Sequence, residues 1–522
     1  MALNECEETF EVALTEKGVK TVNNKMSVDI LQLLTKNNMS LAELSKETNT
    51  PPSSLYFQMD KLIDNGLVEK IRTGSSKKTT QYTISSKRLI KSTNASNMLE
   101  ISASNFIKHM DEGEPDGPMH MAWILSAYAA TVGLDIYPIM SEYGELVAEV
   151  YADKVNDDKI EKVMSNIKKF LMEADGTQVD VFSYMPLTIM LKPQQSAFSD
   201  KIFTFAPYIG FIKSVLSNSM KTDYEMTSVE MYDNTNVLKV GFGIKKKTDN
   251  FKTSDVIARI NPEDDDMRFC ICETTDGPIA IDSETQVLLM TALEERPLCI
   301  VDMLSKLDVP RSTIASNLAR LEEVKVVEPL IADDGTTYYS LCCNVLLKRL
   351  RTVSEYPEWE DKIKSLVRED CSNYYTGAIV YLTYALSRLG FDPGTLMRNL
   401  GSRIADIMIK ERGVIDYKEL TIIGKQLRAR CGVHATIVRL VPLTIKIVKE
   451  SDLEEYSRAS IMFYRGLITK LMTGIDMYSY GKCMKMRINP GSVTLFEAMY
   501  IIYPQLKPAD DPDKDAKNLI PL

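Results

Sequence analysis

One 18-residue pattern occurs twice in this chain, and that recurrence limits the available folds more than any other feature. Pro51–Val68 reads PPSSLYFQMDKLIDNGLV, and Pro310–Val327, 259 positions on, reads PRSTIASNLARLEEVKVV. Leu55, Met59 and Leu62 fall at i, i+4 and i+7, an apolar stripe down one side of a helix, and Ile314, Leu318 and Leu321 repeat it. The other side is small, polar and cationic: Ser53, Ser54, Gln58 and Lys61 in the first copy, Arg311, Ser312, Thr313, Ser316, Asn317 and Arg320 in the second. A helix with such a front suits a major groove of double-stranded DNA, where hydroxyls, amides and cations meet base edges and phosphates. Upstream, Ile30, Leu33, Leu34, Leu41 and Leu44 supply preceding helices, and Ser40 with Glu43 three residues later forms a helix-start signal. Downstream, Leu67-Val68, a Lys/Ser-rich tip and Gln81–Ile84 predict a two-stranded wing.

Over Met26–Ile84 this arrangement resembles the ArsR/MarR-type winged helix-turn-helix family. Its recognition-helix pattern is matched by PPSSLYFQMDKL, with Gln58 where a histidine is common, and by PRSTIASNLARL, with Asn317 there. The two wings differ in charge. Glu69–Lys91 holds Lys70, Arg72, Lys77, Lys78, Lys87, Arg88 and Lys91 against Glu69, a net +6. Glu328–Leu350 holds Lys348 and Arg349 against Glu328, Asp333 and Asp334, a net −1. The first wing, with Lys77 and Lys78 at its tip, can track phosphates; the second is repelled by them.

The repetition extends on both sides of the helix. Phe10–Val22 pairs with Phe269–Ile281, each reading as two short strands about Gly18 or Gly277. Met185-Pro-Leu-Thr-Ile189 matches Val441-Pro-Leu-Thr-Ile445, and Tyr208-Ile-Gly-Phe-Ile212 matches Tyr464-Arg-Gly-Leu-Ile468. A period this long means duplicated domains rather than a solenoid. The fold class expected is α+β, two winged helix-turn-helix domains alternating with two α/β sensor-like domains in an internal duplication. The boundaries expected are 9–95 and 268–352 for the winged helices with their leading hairpins, 96–245 and 353–503 for the domains after them, 246–267 for a charged linker, and 504–522 for a disordered tail carrying Pro504, Pro508, Pro512 and Pro521.

Each of the two longer domains reads as helices, a strand pair, an apolar helix and a closing strand pair. In the first the helices are expected at Met119–Val132, Ile136–Ala152, Ile160–Ala174 and Phe203–Leu216, and the strands at Gln178–Phe182, Leu187–Leu191, Glu225–Tyr232 and Val237–Ile244. In the second the helices are Thr376–Leu389, Leu396–Lys410, Tyr417–Cys431 and Ile461–Met472. That order, with Gly401-Ser-Arg-Ile-Ala and Phe463-Tyr-Arg-Gly-Leu-Ile468, resembles the 4-vinyl reductase, or hydrocarbon-binding, family of small-molecule sensors. The resemblance implies sensing of a small, apolar ligand. The family often closes in a hairpin with cysteines around a Gly-Asp turn; here one copy keeps only Cys483 and the other has Asp233-Asn234, so no metal or thiol role carries over. A pocket needs apolar walls with a few placed polar groups. Trp123, Tyr128, Phe203 and Tyr208 are the wall candidates of the first copy, and Tyr381, Tyr384, Tyr464 and Arg465 those of the second.

Composition bounds the remaining possibilities. At 522 residues the chain exceeds a single core. Nine scattered cysteines and three histidines give no paired zinc-ligand spacing, so neither a metal nor a cofactor is expected. The opening MALNECEETFEV is acidic, and the longest apolar stretch, Met119–Leu134, is short for a bilayer, so a cytoplasmic protein without membrane contact is expected. No P-loop, dinucleotide fingerprint, zinc-protease helix or nucleophile elbow occurs, and His434 near Cys431 lacks an orienting third group. No enzyme is expected. These features lead to a DNA-binding transcription regulator, acting as a one-chain pseudo-dimer or a homodimer. The alternatives are an assembly protein whose winged helices bind other proteins and, further off, an enzyme acting on a small molecule.

Overall fold

In the computed structural model the described residues are 10–73, 79–91, 100, 103–104, 107–108, 117–134, 136–193, 205–232, 237–244, 268–294, 297–332, 335–349, 357–371, 374–388, 391–413, 422–423, 433–440, 443–450, 462–468, 470–471, 480–489, 495–503 and 507–508. Packing gathers the chain into two units: Met1–Asp265 with Thr352–Gly390, and Asp266–Arg351 with Phe391–Leu522.

The first unit opens with a hairpin of β1 (Glu11–Thr15) and β2 (Gly18–Val22), followed by α1 (Lys25–Lys36), α2 (Leu41–Thr48) and α3 (Pro52–Asp64). Strands β3 (Val68–Thr73) and β4 (Thr79–Ile84) form the expected hairpin, and β5 (Lys87–Lys91) returns to pair with β1 in the order β2-β1-β5. Local chemistry sets the helix ends. Asn24 caps α1 by accepting from the Ser27 N–H at 3.2 Å. At α2 the Ser40 hydroxyl takes the Glu43 N–H while Glu43 takes the Ser40 N–H at 2.7 Å, a capping box. Those same Ser40 groups hold the Glu43 carboxyl below its ordinary value. The stripe of Leu55, Met59 and Leu62 closes a core with Val28, Ile30, Leu31, Leu34 and Leu44. A single backbone bridge, Met39 to Tyr82, ties the start of α2 to the hairpin.

After this come α4 (Gly117–Thr131), α5 (Tyr137–Val150), the short α6 (Ala152–Val155) and α7 (Ile160–Asp175). Every residue of α4 from Met121 to Ala130 is buried, as a run that is apolar but for Ser126 requires. Helix α7 ends at Gly176 in the left-handed region (φ 74), which turns the chain into β6 (Gln178–Tyr184). Strand β7 (Leu187–Lys192), helix α8 (Ala206–Met220), β8 (Tyr224–Met231) and β9 (Leu238–Ile244) complete an antiparallel sheet ordered β6-β7-β9-β8. Alternation puts Leu187, Ile189 and Leu191 on its buried face. Helices α5 and α8 meet backbone to backbone. A Cβ on Gly144 would collide with the Pro207 carbonyl, and one on Gly210 with that of Ser141.

The second unit repeats the element order of residues 11–91. It has β10 (Phe269–Thr274), β11 (Gly277–Ile281), α9 (Glu284–Leu293), β12 (Leu298–Cys299), α10 (Ile300–Lys306), α11 (Arg311–Glu323), β13 (Val327–Ile331), β14 (Thr337–Leu341) and β15 (Asn344–Arg349). Its sheet β11-β10-β15 carries a register shift between Ile271 and Cys272, and β2-β1-β5 carries one between Val12 and Ala13, the corresponding place. Where the first unit has the Met39–Tyr82 bridge, β12 pairs with β14 through Leu298 and Tyr339. Cys270 and Cys272 are free thiols buried in this core.

The next two helices, α12 (Pro357–Glu369) and α13 (Tyr374–Arg388), join the first unit. A domain spanning 353–503 is therefore divided near Gly390. The cause is a set of specific contacts. The Tyr143 and Tyr151 hydroxyls of α5 and the residue after it donate to the carbonyls of Tyr374 and Val367. Tyr381 donates to Glu142 at 3.0 Å, Lys364 pairs with Glu149 at 2.9 Å, and the Tyr143 ring edge packs on Gly377. The remainder, α14 (Pro393–Arg412), β16 (Val433–Leu440), β17 (Leu443–Glu450), the helical 462–468, β18 (Tyr480–Asn489), β19 (Leu495–Tyr503) and β20 (Lys507–Pro508), belongs to the second unit. Its sheet runs β16-β17-β19-β18, and α14 touches 462–468 through Gly401 and Gly466 as α5 touches α8. Of the expected tail, Lys507–Pro508 is a strand paired with Leu330 and Ile331, correcting the reading of a wholly disordered 504–522; the tail's other residues, the linker 246–267 and most of the expected helix 417–431 lie outside the described residues. Among the described residues no helix is long and apolar enough to cross a membrane.

The glycine contacts set a measurable expectation. Gly210→Ala and Gly466→Ala each force a methyl into a facing backbone carbonyl. Each should destabilise its unit by about 1–3 kcal/mol or more, lowering the thermal midpoint followed by circular dichroism. An unchanged midpoint would mean the helices do not touch there.

Candidate nucleic-acid interface

Helix α3 starts on Pro51-Pro52, where proline's fixed backbone suits a first turn, and its apolar stripe faces inward. Ser53, Ser54, Tyr56, Phe57 and Lys61 are left exposed. Gln58 is half-buried at the edge of this face, and its Oε1 accepts from the Ser27 hydroxyl of α1 at 3.2 Å. Its amide oxygen is thus already engaged, which the sequence pattern alone does not reveal. The aromatic pair beside it is open to solvent, Tyr56 by 52% and Phe57 by 60%. The Lys61 ammonium lies 4.3 Å from the Phe57 ring centroid, and that of Lys70, on β3, lies 5.8 Å from the Tyr56 ring and 3.5 Å from Asp60. Lys17 donates to the Asp64 carbonyl at 2.6 Å, fastening the helix end to the β1–β2 turn. Lys77 and Lys78, between β3 and β4 in the sequence, lie outside the described residues.

On α11 the corresponding face is built differently. Arg311, Ser312, Ala315, Ser316 and Arg320 are exposed, and Thr313 is half-buried. Asn317, expected on the outward face, is only 7% exposed and donates from Nδ2 to the Thr313 carbonyl at 2.8 Å. It sits beside Leu318 and three residues after Ile314, so the helix turns it inward, and a buried amide must find a partner. The i−4 carbonyl is within reach. Asn317 is therefore removed from the exposed face of α11. The Ser316 hydroxyl also folds back to Thr313, at 3.1 Å.

The expected pocket walls are dispersed. Trp123, Tyr128, Tyr208 and Tyr381 are buried in the first unit, Tyr384 is half-buried there, and Phe203 lies outside the described residues. Tyr381 and Tyr384, expected beside Tyr464, instead pack with α5 and α12: Tyr381 is 5.6 Å from the Tyr143 ring, and Tyr384 stacks on Trp359 at 5.7 Å. Sequence reasoning missed Asp175, which gathers the hydroxyls of Tyr208 and Tyr375, the latter at 2.9 Å. Burial pushes both phenols well above their ordinary range, so they stay protonated and donate. Trp123 lies 6.0 Å from the Tyr375 ring. A cleft of about 300 Å³ is lined by Met172, Gly176, Gln178, Lys192 and Pro193, none of them an expected wall residue or a member of this cluster.

Tyr464 and Arg465 are buried in the second unit, and Arg465 belongs to an internal ionic cluster rather than a described cavity. Its Nη2 lies 3.5 Å from the Glu294 carbonyl, and Arg398 Nη1 lies 3.5 Å from the Glu294 carboxylate. Lys348 on β15 reaches Glu294 at 2.7 Å and Asp392 at 3.3 Å. Burial alone would lower the Lys348 ammonium, but the two carboxylates outweigh it and raise it above its ordinary value. Burial alone would raise the Asp392 carboxyl, but Lys348, the Thr395 hydroxyl and the Gly394 N–H together hold it below.

Comparison with known families agrees with the N-terminal geometry. Residues 24–71, which span α1 to β3, match the helix-turn-helix domain family. No curated protein matches the chain. A helix-turn-helix domain points to a DNA-binding regulator.

The ionic cluster makes stability depend on pH at both ends. Asp392 titrates lower in the folded chain than unfolded, so its contribution is complete above the ordinary carboxylate range and lost as pH falls through the folded value. Lys348 titrates higher, so its contribution holds up to the ordinary lysine range and is lost as pH rises beyond it. Lys348→Met leaves Glu294 short of its closest cation and should cost about 3–5 kcal/mol near neutral pH, read by denaturant unfolding. Wild-type stability at neutral pH would disprove this account.

Proposed function

We propose that this chain is a transcription regulator that binds double-stranded DNA and responds to a small, apolar ligand. The observation that carries the reading is the helix-turn-helix match over residues 24–71, together with an α3 whose back is core and whose front holds Ser53, Ser54 and Lys61 in the open. In this reading 269–349 is a second winged helix, descended with the first from an internal duplication; the shared element order and the two matching register shifts support it. The exposed residues of α11, Arg311, Ser312, Ser316 and Arg320, differ from those of α3, so one chain offers two unlike recognition helices. A single chain then suits an asymmetric site, and two chains a palindrome read by their first modules. One observation favours a protein-binding alternative: Tyr56 and Phe57 are large apolar groups left in water.

The basic wing provides the first test. Lys77→Ala with Lys78→Ala should weaken binding to all duplexes alike and reduce the slope of log affinity against log salt by about two. An unchanged slope places the phosphates elsewhere. A genomic footprint of the bound protein tests DNA binding and names the regulated genes together.

The sensing half rests on the sensor-family resemblance and on the aromatic cluster around Asp175. Both tryptophans of the chain, Trp123 and Trp359, are buried against tyrosines in the first unit, so their emission reports on this region. Titration with a panel of small hydrocarbons should change that emission saturably for at least one of them, and should alter the affinity for DNA in parallel. Emission that never saturates would reject the sensor.

A further inference from the structure

Tyr56 and Phe57 are the described helical aromatics exposed by half or more. Their neighbours explain the direction in which they point. Leu55 and Met59 are fully buried, so the two residues after Leu55 project from the front of α3, the side on which Ser53, Ser54 and Lys61 also lie. In other described helices rings such as Tyr143, Tyr208, Phe211, Tyr374 and Phe463 are buried. Two adjacent rings in water forgo the stabilisation that burial would return. Each also lies against a cation, Lys61 at 4.3 Å from Phe57 and Lys70 at 5.8 Å from Tyr56, so each ring is held beside a group suited to a phosphate.

We infer that Phe57 and Tyr56 read thymine: the first winged helix recognises A·T pairs through the thymine C5-methyl group. This rests on the DNA-binding reading of α3 and adds which base it selects. The apolar feature that a base pair displays in the major groove is that methyl, and apolar side chains are its usual contacts. The hydrogen-bonding route to adenine needs both ends of an amide, and the Gln58 oxygen is held by Ser27 at 3.2 Å. Wedging of side chains between base steps is a minor-groove device, whereas the second helix of a helix-turn-helix lies in the major groove. At the matching positions α11 has Ala315 and Ser316, with no ring, so the thymine requirement belongs to one half of the target site.

The test uses the full chain and a duplex selected from random-sequence DNA. Thymines in the selected site are replaced one at a time by deoxyuridine, which removes only the methyl. At one or two positions in one half of the site the replacement should weaken binding about fourfold, the effect of unburying one methyl-sized apolar group. Phe57→Ala, or Tyr56→Ala at the neighbouring position, should bind the thymine and uracil duplexes equally while keeping the wild-type salt slope. Phe57→Leu, which stays apolar, should keep part of the discrimination. Because both side chains are exposed, these variants remain folded. Equal binding of thymine and uracil duplexes by the wild type, with a normal salt slope, overturns the inference and leaves DNA binding intact. Retained discrimination in both alanine variants does the same. If no duplex is bound in a salt-dependent way, the DNA-binding reading itself fails, and the rings belong to a protein partner.

Discussion

Backbone contact between two helices is the constraint on which the first unit depends. Gly144 on α5 and Gly210 on α8 let each helix lie against a carbonyl of the other, so their separation is set by main chain rather than by adjustable side chains. Lys213 and Glu145 flank the contact at 2.6 Å. With that side of α5 fixed, its other residues become a docking face. Glu142, Tyr143 and Glu149 meet α12 and α13, and Tyr151 just beyond the helix joins them. Lys364 and Tyr381 can find their partners only because α5 is already placed.

The second unit uses the same glycine contact, through Gly401 and Gly466, but adds charge around it. Glu294, at the end of α9, is surrounded by Lys348, Arg398 and the side chain of Arg465. At the positions matching Glu294, Arg398 and Arg465 the first unit has Thr35, Ser141 and Ile209, while Lys91 and Asp135 stand where Lys348 and Asp392 do, so the central carboxylate and both arginines are particular to the second unit. Buried ions cost several kcal/mol each to desolvate, so the cluster holds only while every member keeps its partners. Its effect is specificity of placement. The 269–349 segment is fastened to α14 and 462–468 by groups that fit one arrangement, whereas the first unit has small polar or apolar residues in place of Glu294 and of both arginines.

Side chains around α3 and α11 show how much of an exposed helix face is decided by neighbours. The sequence period places Leu55, Met59 and Leu62 inside, and Ile314, Leu318 and Leu321 likewise, and both stripes are buried as expected. It says less about residues at the margin of the stripe. Gln58 and Asn317 occupy the same place in the repeat, yet one is half-buried against Ser27 and the other is turned in against Thr313. Ser27 comes from a different helix, 31 residues away, and no local pattern records that approach. Tyr56 and Phe57 were visible as residues, but that no described element covers their rings was not.

What the sequence determined by itself is local and periodic. Ser40 and Glu43 announce the start of α2 because a capping box is formed within four residues, and alternation in 187–192 fixes which face of β7 is buried. Apolar runs such as 121–130 declare a buried helix whatever it packs against. What only the tertiary structure decided is the identity of the partner. Burial of apolar surface is non-directional, so a stripe on α13 states that the helix is covered and not that α4 and α5 cover it. That choice came from single polar contacts at long range, Tyr143 to the Tyr374 carbonyl and Tyr381 to Glu142, together with the space above Gly377. Such contacts join residues more than 200 positions apart, and they exist only once both helices are in place.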